Sequence, residues 1–452
     1  MPVPSNKLLI YTLVVGMPLF TLLGLMEMPL AGVLGIGFLL VLLVALDMPG
    51  AGASLRRLRV ELPQVIRTTK GRLFELPVLL VNEGLMANKV KVGVPLPQEI
   101  YGETCVLDLT LKNDVERNVS RWELLALERG RFRLGKLYLE GVSTLGFWLG
   151  RRSVEVAVEV RVYPDLSHER KVLVPLFFRR GAIGVHQVRQ IGKGREFEQL
   201  RAYAPGDGYE DVYWKGTAKR RYPVTKMFQL ERTQEVYVVV DCSRRSRRKL
   251  EGLMGGAEAG TVAKTQLERY IQAALVLALA AQQQSDRFGL MVFSDKVQRV
   301  IPAGGGRAHY DVIRDVLYTL QAESVSPDFD ELFVQIGNRV RHRALMLILT
   351  DLGEPWLAES FVDGVSLVSK RHVVLTHMLG QKEVRPMFGE KDTVADDDDL
   401  YARLAGQLMW NDLQETMRLL KQRGVHLTSS TQESLVADVV SEYLKVKKRQ
   451  LI

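Results

Sequence analysis

Two uninterrupted apolar runs open the chain. Leu8 to Leu25 is an 18-residue stretch without a charged side chain, and Leu30 to Leu46 is a second of 17. Neither shows a polar face, so neither reads as the half-buried helix of a soluble core. A helix crossing the hydrocarbon layer needs about 20 apolar residues, with about 17 as the lower limit. Both runs therefore predict short membrane spans, at about 8–25 and 30–46 within a hairpin segment 1–54. Met26-Glu27-Met28-Pro29 between them ends the first helix and turns the chain. A cleaved leader is the alternative for the first run. Against it, Gly24-Leu25-Met26 is a poor small-x-small cleavage site and a second apolar run follows at once. Lys7 flanks the pair on one side and Arg56, Arg57 and Arg59 on the other. The positive-inside rule then places both ends, and the chain after residue 55, in the cytoplasm.

From residue 55 to 165 the pattern changes to β. Leu76–Asn82, Val90–Val94 and Val154–Val160 alternate or run β-branched between Gly, Pro and Asn. Arg129-Gly130-Arg131-Phe132-Arg133-Leu134-Gly135 reads as a strand entered through a glycine turn. Several short strands at this spacing predict a β-sandwich of immunoglobulin-like shape. No cluster of titratable side chains stands out there, which favours a structural or partner-binding role.

From residue 235 to 452 apolar strands alternate with helical patterns. Strands are expected at 236–241, 288–293, 344–351, 372–379 and 425–429. Helices are expected at 263–284, 309–321, 328–341, 355–370, 400–423 and 431–446. Such alternation predicts a doubly wound α/β sheet whose ligand crevice lies at the carboxyl ends of its strands. Asp396–Asp399 lacks the alternating ligand spacing of an EF-hand and reads as a solvated loop. Lys445-Val446-Lys447-Lys448-Arg449 reads as a fraying basic tail.

Composition adds bounds. The 452 residues are 47% hydrophobic and 25% charged, which excludes disordered, collagen-like and disulfide-scaffold classes. Two cysteines, Cys105 and Cys242, fit a reducing compartment and form no ligand cluster. The net charge of +9 is unevenly spread, because residues 170 to 250 hold 19 Lys or Arg against 8 Asp or Glu. Within the basic segment 166–234, Gly192 and Gly194 precede no phosphate-binding glycine motif. Aromatics Phe197, Tyr203, Tyr213 and Trp214 lie among its basic residues, as in nucleic-acid binders. The interspersed acids and the nearby membrane favour anionic headgroups or protein over nucleic acid.

Two predicted strands end on an acid, Asp241 and Asp351. At one sheet edge they could share Mg²⁺, which favours carboxylate, hydroxyl and water oxygens. The arrangement resembles the metal-ion-dependent adhesion site of von Willebrand factor A domains, whose first motif is D-x-S-x-S. Here it reads Asp241-Cys242-Ser243-Arg244-Arg245, with arginine at the second serine position. Gly304-Gly305-Gly306-Arg307 puts a second arginine at or near the threonine ligand. Asp241, Ser243 and Asp351 thus remain of the metal set. An arginine neutralising the two aspartates is the expected outcome.

The whole order resembles a bacterial family known as domain of unknown function 58 (DUF58). Two spans, Arg129-Gly130-Arg131-Phe132 to Thr144-Leu145-Gly146-Phe147, and the block from Gly194 to Asp207 carry the resemblance. The block continues into Trp214-Lys215-Gly216-Thr217-Ala218-Lys219, and an A-like domain follows it. The chain departs from the family at Gly208–Tyr213, where an arginine and an isoleucine are usual. The resemblance implies an inner-membrane, multi-pass accessory protein that partners a MoxR-type AAA+ ATPase in assembling or activating other proteins. Its candidate partner- or anion-binding residues are Arg195, Glu196, Arg201, Tyr203, Gly206, Asp207, Trp214, Lys215, Lys219, Arg245 and Arg307.

No catalytic set emerges. The seven histidines are scattered, and neither H-E-x-x-H nor G-x-S-x-G is present. The expectation is a multidomain, non-enzymatic, membrane-anchored adaptor without a cofactor. The alternatives are a Mg²⁺-dependent adhesion or ligand-binding receptor and a hydrolase with its site in the A-like crevice, supported by Asp207 and Asp211 near the basic, aromatic-rich block.

Overall fold

The computed structural model describes residues 2–25, 30–56, 58–82, 89–111, 117–169 (168 aside), 191–229 (206 aside), 234–250, 264–387 and 396–449. The chain divides into two compact units, Met1–Asp165 and a larger one beginning at Leu166.

In the first unit, strand β1 (Pro2–Pro4) precedes helix α1 (Asn6–Tyr11). A π-helical turn, Thr12–Gly16, leads on into α2 (Met17–Leu25). The stretches Asn6–Leu23 and Ala31–Gly52 are long and apolar enough to cross a membrane, which marks the chain as membrane-associated. The second helix, α3 (Leu30–Arg56), outruns its apolar stretch by ten residues and passes through Pro49. Packing accounts for the extension, because buried Ala51 and Leu55 lie against a strand pair described next. A Cβ at Gly150 would stand 2.0 Å from the Ala51 carbonyl oxygen, and one at Gly141 2.9 Å from the Leu55 side chain. Only glycine permits that approach.

The β region comprises β2 (Leu58–Glu61), β3 (Val65–Thr69), β4 (Leu73–Asn82), β5 (Lys89–Gly93), β6 (Ile100–Tyr101), β7 (Val106–Thr110), β8 (Arg117–Ala126), β9 (Gly130–Val142) and β10 (Trp148–Tyr163). One sheet has the order β1-β10-β9-β5-β7 with β3 beside β10, and the other the order β2-β4-β8-β6. Their facing side chains, among them Leu76, Val78, Leu124, Val92, Leu139 and Val160, form one apolar cluster. Strand β4 shows the cause, since Phe74, Leu76, Val78 and Leu80 are buried while Leu73, Glu75 and Pro77 are exposed. The larger sheet is mixed, because β3 pairs in parallel with the end of β10. The two sheets were expected; the parallel pair was not.

In the second unit, β11 (Ile191–Ala202) and β12 (Val224–Gln229) form an antiparallel ribbon with α4 (Trp214–Arg220) between them in sequence. Part of the segment expected as a basic linker therefore forms a strand pair and a helix. After β13 (Glu235–Asp241) comes the short pair β14 (Lys249–Leu250) and β15 (Lys264–Thr265). The rest comprises β16 (Arg287–Phe293), β17 (Val297–Gly304), β18 (Leu345–Leu349), β19 (Val373–Leu379) and β20 (His426–Ser430). Around them lie α5 (Gln266–Gln283), α6 (Arg307–Leu317), α7 (Phe329–Arg339), α8 (Pro355–Ser369), α9 (Asp397–Gln422) and α10 (Leu435–Arg449). The sheet order is β17-β16-β13-β18-β19-β20, parallel except for β17. One apolar cluster holds α5 and α10, and another holds α7 and α8, as a doubly wound sheet requires. Strand β17 escapes the periodicity because it is an edge strand containing Pro302, tolerated only where a ladder donor is not needed.

Two expectations from sequence are corrected here. Asp396–Asp399 is not a loop: Asp396 caps α9 by accepting from Asp399 N at 2.8 Å, and the other three acids fill its first turn. Negative charge there complements the helix dipole. The basic C-terminus does not fray either, since α10 extends to Arg449. Lys447 Nζ donates to Asp286 Oδ2 at 2.7 Å and to the Gln284 carbonyl at 3.0 Å, while Tyr443 donates its hydroxyl to the same carboxylate. Removing one partner of a buried ion pair costs about 3 kcal/mol. Lys447→Met should therefore lower the thermal midpoint of the detergent-solubilised chain by several degrees, and exposed Lys448→Met should leave it unmoved.

Candidate functional site

The parallel register aligns the carboxyl ends of β13, β16 and β18. Asp241 pairs with Phe293 and Val240 with Leu349, so Asp241 and the Thr350-Asp351 pair emerge at one edge. This edge is the switch point of the sheet, where open α/β folds bind ligands. Asp241 is fully buried; its Oδ2 accepts from Thr350 Oγ1 at 2.6 Å and its Oδ1 from Ser243 N at 2.8 Å. Burial raises the pKa of the Asp241 carboxyl above the usual range, with these hydrogen bonds acting against that rise. Asp351 accepts from Gly353 N at 2.9 Å, and its other oxygen faces Arg245 Nη2 at 3.2 Å. Arg245 Nη1 donates to Glu354 Oε1 at 2.5 Å.

Arg245 thus holds two carboxylates that would otherwise face a cation. Ser246, the hydroxyl next to Arg245, donates to the Asp241 carbonyl at 2.6 Å and leaves the carboxylate alone. Among the described residues no group of three or more His, Cys, Asp or Glu could hold a metal ion. The residues present do not fit a resident Mg²⁺, because a fixed guanidinium repels it and the Asp241 oxygens already accept hydrogen bonds. Cys242 is no nucleophile: its thiol is buried against the Phe293 carbonyl, and burial, then Asp241, pushes its pKa up to about 12.

Arg307 is placed elsewhere. Gly304 pairs with Phe288, five residues before the Phe293 that faces Asp241. At about 3.3 Å per residue, the Gly304-to-Arg307 turn lies roughly 17 Å away, at the opposite sheet edge. The sequence reading also missed Thr350, Glu354 and buried Ser294, whose Oγ lies 2.9 Å from Glu323 Oε2. The Thr350-Asp351-x-x-Glu354 run was the available signal for the first two.

The signature block forms a second feature. Asp207 accepts from Ala204 N at 3.0 Å, Thr225 Oγ1 at 3.2 Å and Arg201 Nη2 at 2.5 Å. The Ala204 amide, then Thr225 and Arg201, hold its carboxyl below the usual range. These bonds tie the turn to β12 and make Asp207 a structural hub. Gly216 is required beside Tyr213, since a Cβ there would stand 2.4 Å from the ring. Lys226 Nζ lies 5.0 Å over the same ring. Tyr203 is half-buried, and its amide donates to the Pro223 carbonyl at 3.0 Å. Trp214 is 59% exposed and rests against exposed Tyr209 with ring centroids 5.7 Å apart. Lys215, Lys219 and Arg220 of the same helix, and Arg221 that caps it, are exposed. Gly206 and the side chains of Arg195 and Glu196 lie outside the described residues.

Two outcomes follow from this geometry. With its pKa raised on folding, Asp241 holds its proton more tightly in the folded chain than in the unfolded one. Stability is then lost as pH rises above the unfolded carboxylate value near about 4. Asp241→Asn removes that loss: its amide oxygen still accepts from Ser243 N, and its amide nitrogen donates to Thr350 Oγ1, which turns from donor to acceptor. Its thermal midpoint should gain on wild type between about pH 4 and pH 7. Arg245→Ser restores D-x-S-x-S and leaves Asp351 and Glu354 without their cation. Its midpoint should fall in chelator and recover with Mn²⁺ or Mg²⁺, whereas wild type should respond to neither in calorimetry.

Comparison with known proteins adds limited coverage. An uncharacterized protein of Mycobacterium tuberculosis and another of Mycobacterium bovis are each 23% identical over 188 residues, 41% of this chain and 54% of theirs. The chain thus spans about half the length of the curated relatives it matches. Among solved structures, an aerotolerance-related membrane protein from Bacteroides fragilis is 15% identical over 47% of this chain and 99% of its own, at a TM-score of 0.27. BatB from Bacteroides thetaiotaomicron is 16% identical over 48% and 99%, also at 0.27. The von Willebrand A domain of SpRpn10 is 10% identical over 46% and 95%, at 0.27. At such scores the likeness identifies no shared activity. Residues 199–392 of the chain, from the block around Asp207 into the α/β sheet, match the family described as protein of unknown function DUF58.

Proposed function

We propose that this protein is a membrane-anchored adaptor that binds a protein partner, a MoxR-type AAA+ ATPase, in protein assembly or activation at the membrane. The observation that carries the reading is the outward aromatic pair Trp214 and Tyr209 on the signature block, followed by exposed Lys215, Lys219, Arg220 and Arg221. Exposed tryptophan and tyrosine beside arginine are the residue types that dominate binding energy at protein interfaces. The basic run suits an acidic partner surface and speeds encounter with it.

The bulk of the chain then lies on the cytoplasmic side of the inner membrane, following the Arg56 and Arg59 flank. The two-sheet region lies between the spans and the adaptor block in the sequence. Arg245 held by Asp351 and Glu354 favours this reading over a Mg²⁺-dependent receptor, because the crevice already contains its own cation. The Asp207 bonds to Ala204, Thr225 and Arg201 likewise favour it over hydrolysis.

The test mixes the full chain in nanodiscs with the MoxR-type ATPase of the same cell and reads affinity and ATP turnover. Trp214→Ala should weaken binding about 30-fold, corresponding to the ~2 kcal/mol of a hot-spot aromatic. No binding by wild type, or equal binding by the variant, overturns the reading.

A further inference from the structure

The turn between β9 and β10 is tied to both helices of the membrane hairpin. On the N-terminal side, Ser5 N donates to the Phe147 carbonyl at 2.9 Å and Ser5 Oγ to the Gly146 carbonyl at 2.6 Å. The same hydroxyl accepts from Leu8 N at 3.3 Å and so caps α1. Just before it, β1 pairs with β10 from Trp148 to Gly150. On the α3 side, buried Asp47 accepts from Ser143 Oγ at 2.5 Å, Leu145 N at 2.9 Å and Phe147 N at 3.2 Å. Trp148 Nε1 donates to the Val44 carbonyl at 2.8 Å, and Arg152 Nη1 to the Leu55 carbonyl at 2.7 Å. Gly146, at φ +84, allows the reversal.

These bonds fix the depth of the turn. Val44 lies inside the apolar run Leu30–Leu46. At 1.5 Å per residue those 17 residues reach only about 25 Å, some 5 Å short of a hydrocarbon layer of about 30 Å. The end of the apolar run at Asp47, and the turn bonded to it, then fall at the boundary between acyl chains and headgroups. The side chains of the turn suit that level. Leu145 is 57% exposed, Phe147 meets Tyr11 of α1 edge-to-face at 6.0 Å, and Trp148 is half-buried with its indole N–H on Val44. Lys7 lies beside Gly146. Tryptophan, tyrosine and lysine concentrate at membrane interfaces because each has an apolar body and a polar tip. Asp47 would be costly at this depth, and three donors from the turn offset its desolvation.

We propose that the Ser143–Trp148 turn is a membrane foot: it inserts Leu145 into the lipid interface and clamps the ends of both spans through Ser5 and Asp47. The occupant of its exposed face is the bilayer that holds the spans. The inference rests on the two helices crossing a membrane and is independent of any protein partner.

The test uses the full chain in vesicles, in a Cys105→Ser background that leaves only buried Cys242. An environment-sensitive fluorophore is attached at Leu145→Cys and, as control, at exposed Leu73→Cys. Leu73 lies near Thr69, whose partner Tyr163 ends β10 at the far end from Trp148. Lipids carrying a quencher near the headgroup should quench the label at 145 at least threefold more than at 73. Equal quenching at the two sites overturns the proposal. Asp47→Ala, or Ser143→Ala where the former does not fold, should reduce quenching at 145 at least twofold. Unchanged quenching in a folded variant removes the clamp.

Discussion

A carboxylate taken out of water must be neutralised or hydrogen-bonded where it stands, and among the described residues four aspartates are out of water. Asp47, Asp241, Asp286 and Asp351 are each at most 5% exposed. An isolated buried charge costs several kcal/mol even after relaxation, so each of them dictates its surroundings. Asp47 gathers three donors from a turn about a hundred residues away. Asp286 draws in Tyr443 and Lys447 and thereby holds the last helix to the sheet. Asp241 relies on Thr350 and a backbone amide, and Asp351 on Arg245 and Gly353.

The last two pairs have a functional consequence. In an open α/β sheet the switch-point crevice is where ligands bind, and carboxylates gathered there could hold an exchangeable cation. Here the positive charge is covalently part of the chain and cannot exchange. That fixes the charge of the crevice across ionic conditions and moves attention to outward surfaces. The signature block supplies one: its acid is consumed internally by Arg201, Ala204 and Thr225, and its aromatic and basic side chains point to solvent.

Much of this was legible in the residues. The alternation of strands and helices from Glu235 onward matches the observed elements to within a few residues, because periodicity is a local property of each segment. Asp241 at the end of β13 and Asp351 just beyond β18 were visible for the same reason. Failures came where a distant partner decides. Asp396–Asp399 reads as a solvated acidic run until its cap on α9 is formed, and the Lys445–Arg449 tail reads as free until Asp286 stands opposite it. Strand β17 was hidden by Pro302, which an edge position tolerates.

The sequence by itself determined the two apolar spans, the change from β pattern to alternating α/β pattern, and the presence of arginines where serine and threonine ligands were sought. Tertiary structure alone decided which arginine matters. Arg245 and Arg307 are equal candidates in the chain, yet the parallel register of β13 with β18 brings one to Asp351, and the antiparallel register of β17 carries the other to the opposite edge. Pairing between residues some hundred positions apart depends on strand register and sheet order, which no local pattern encodes.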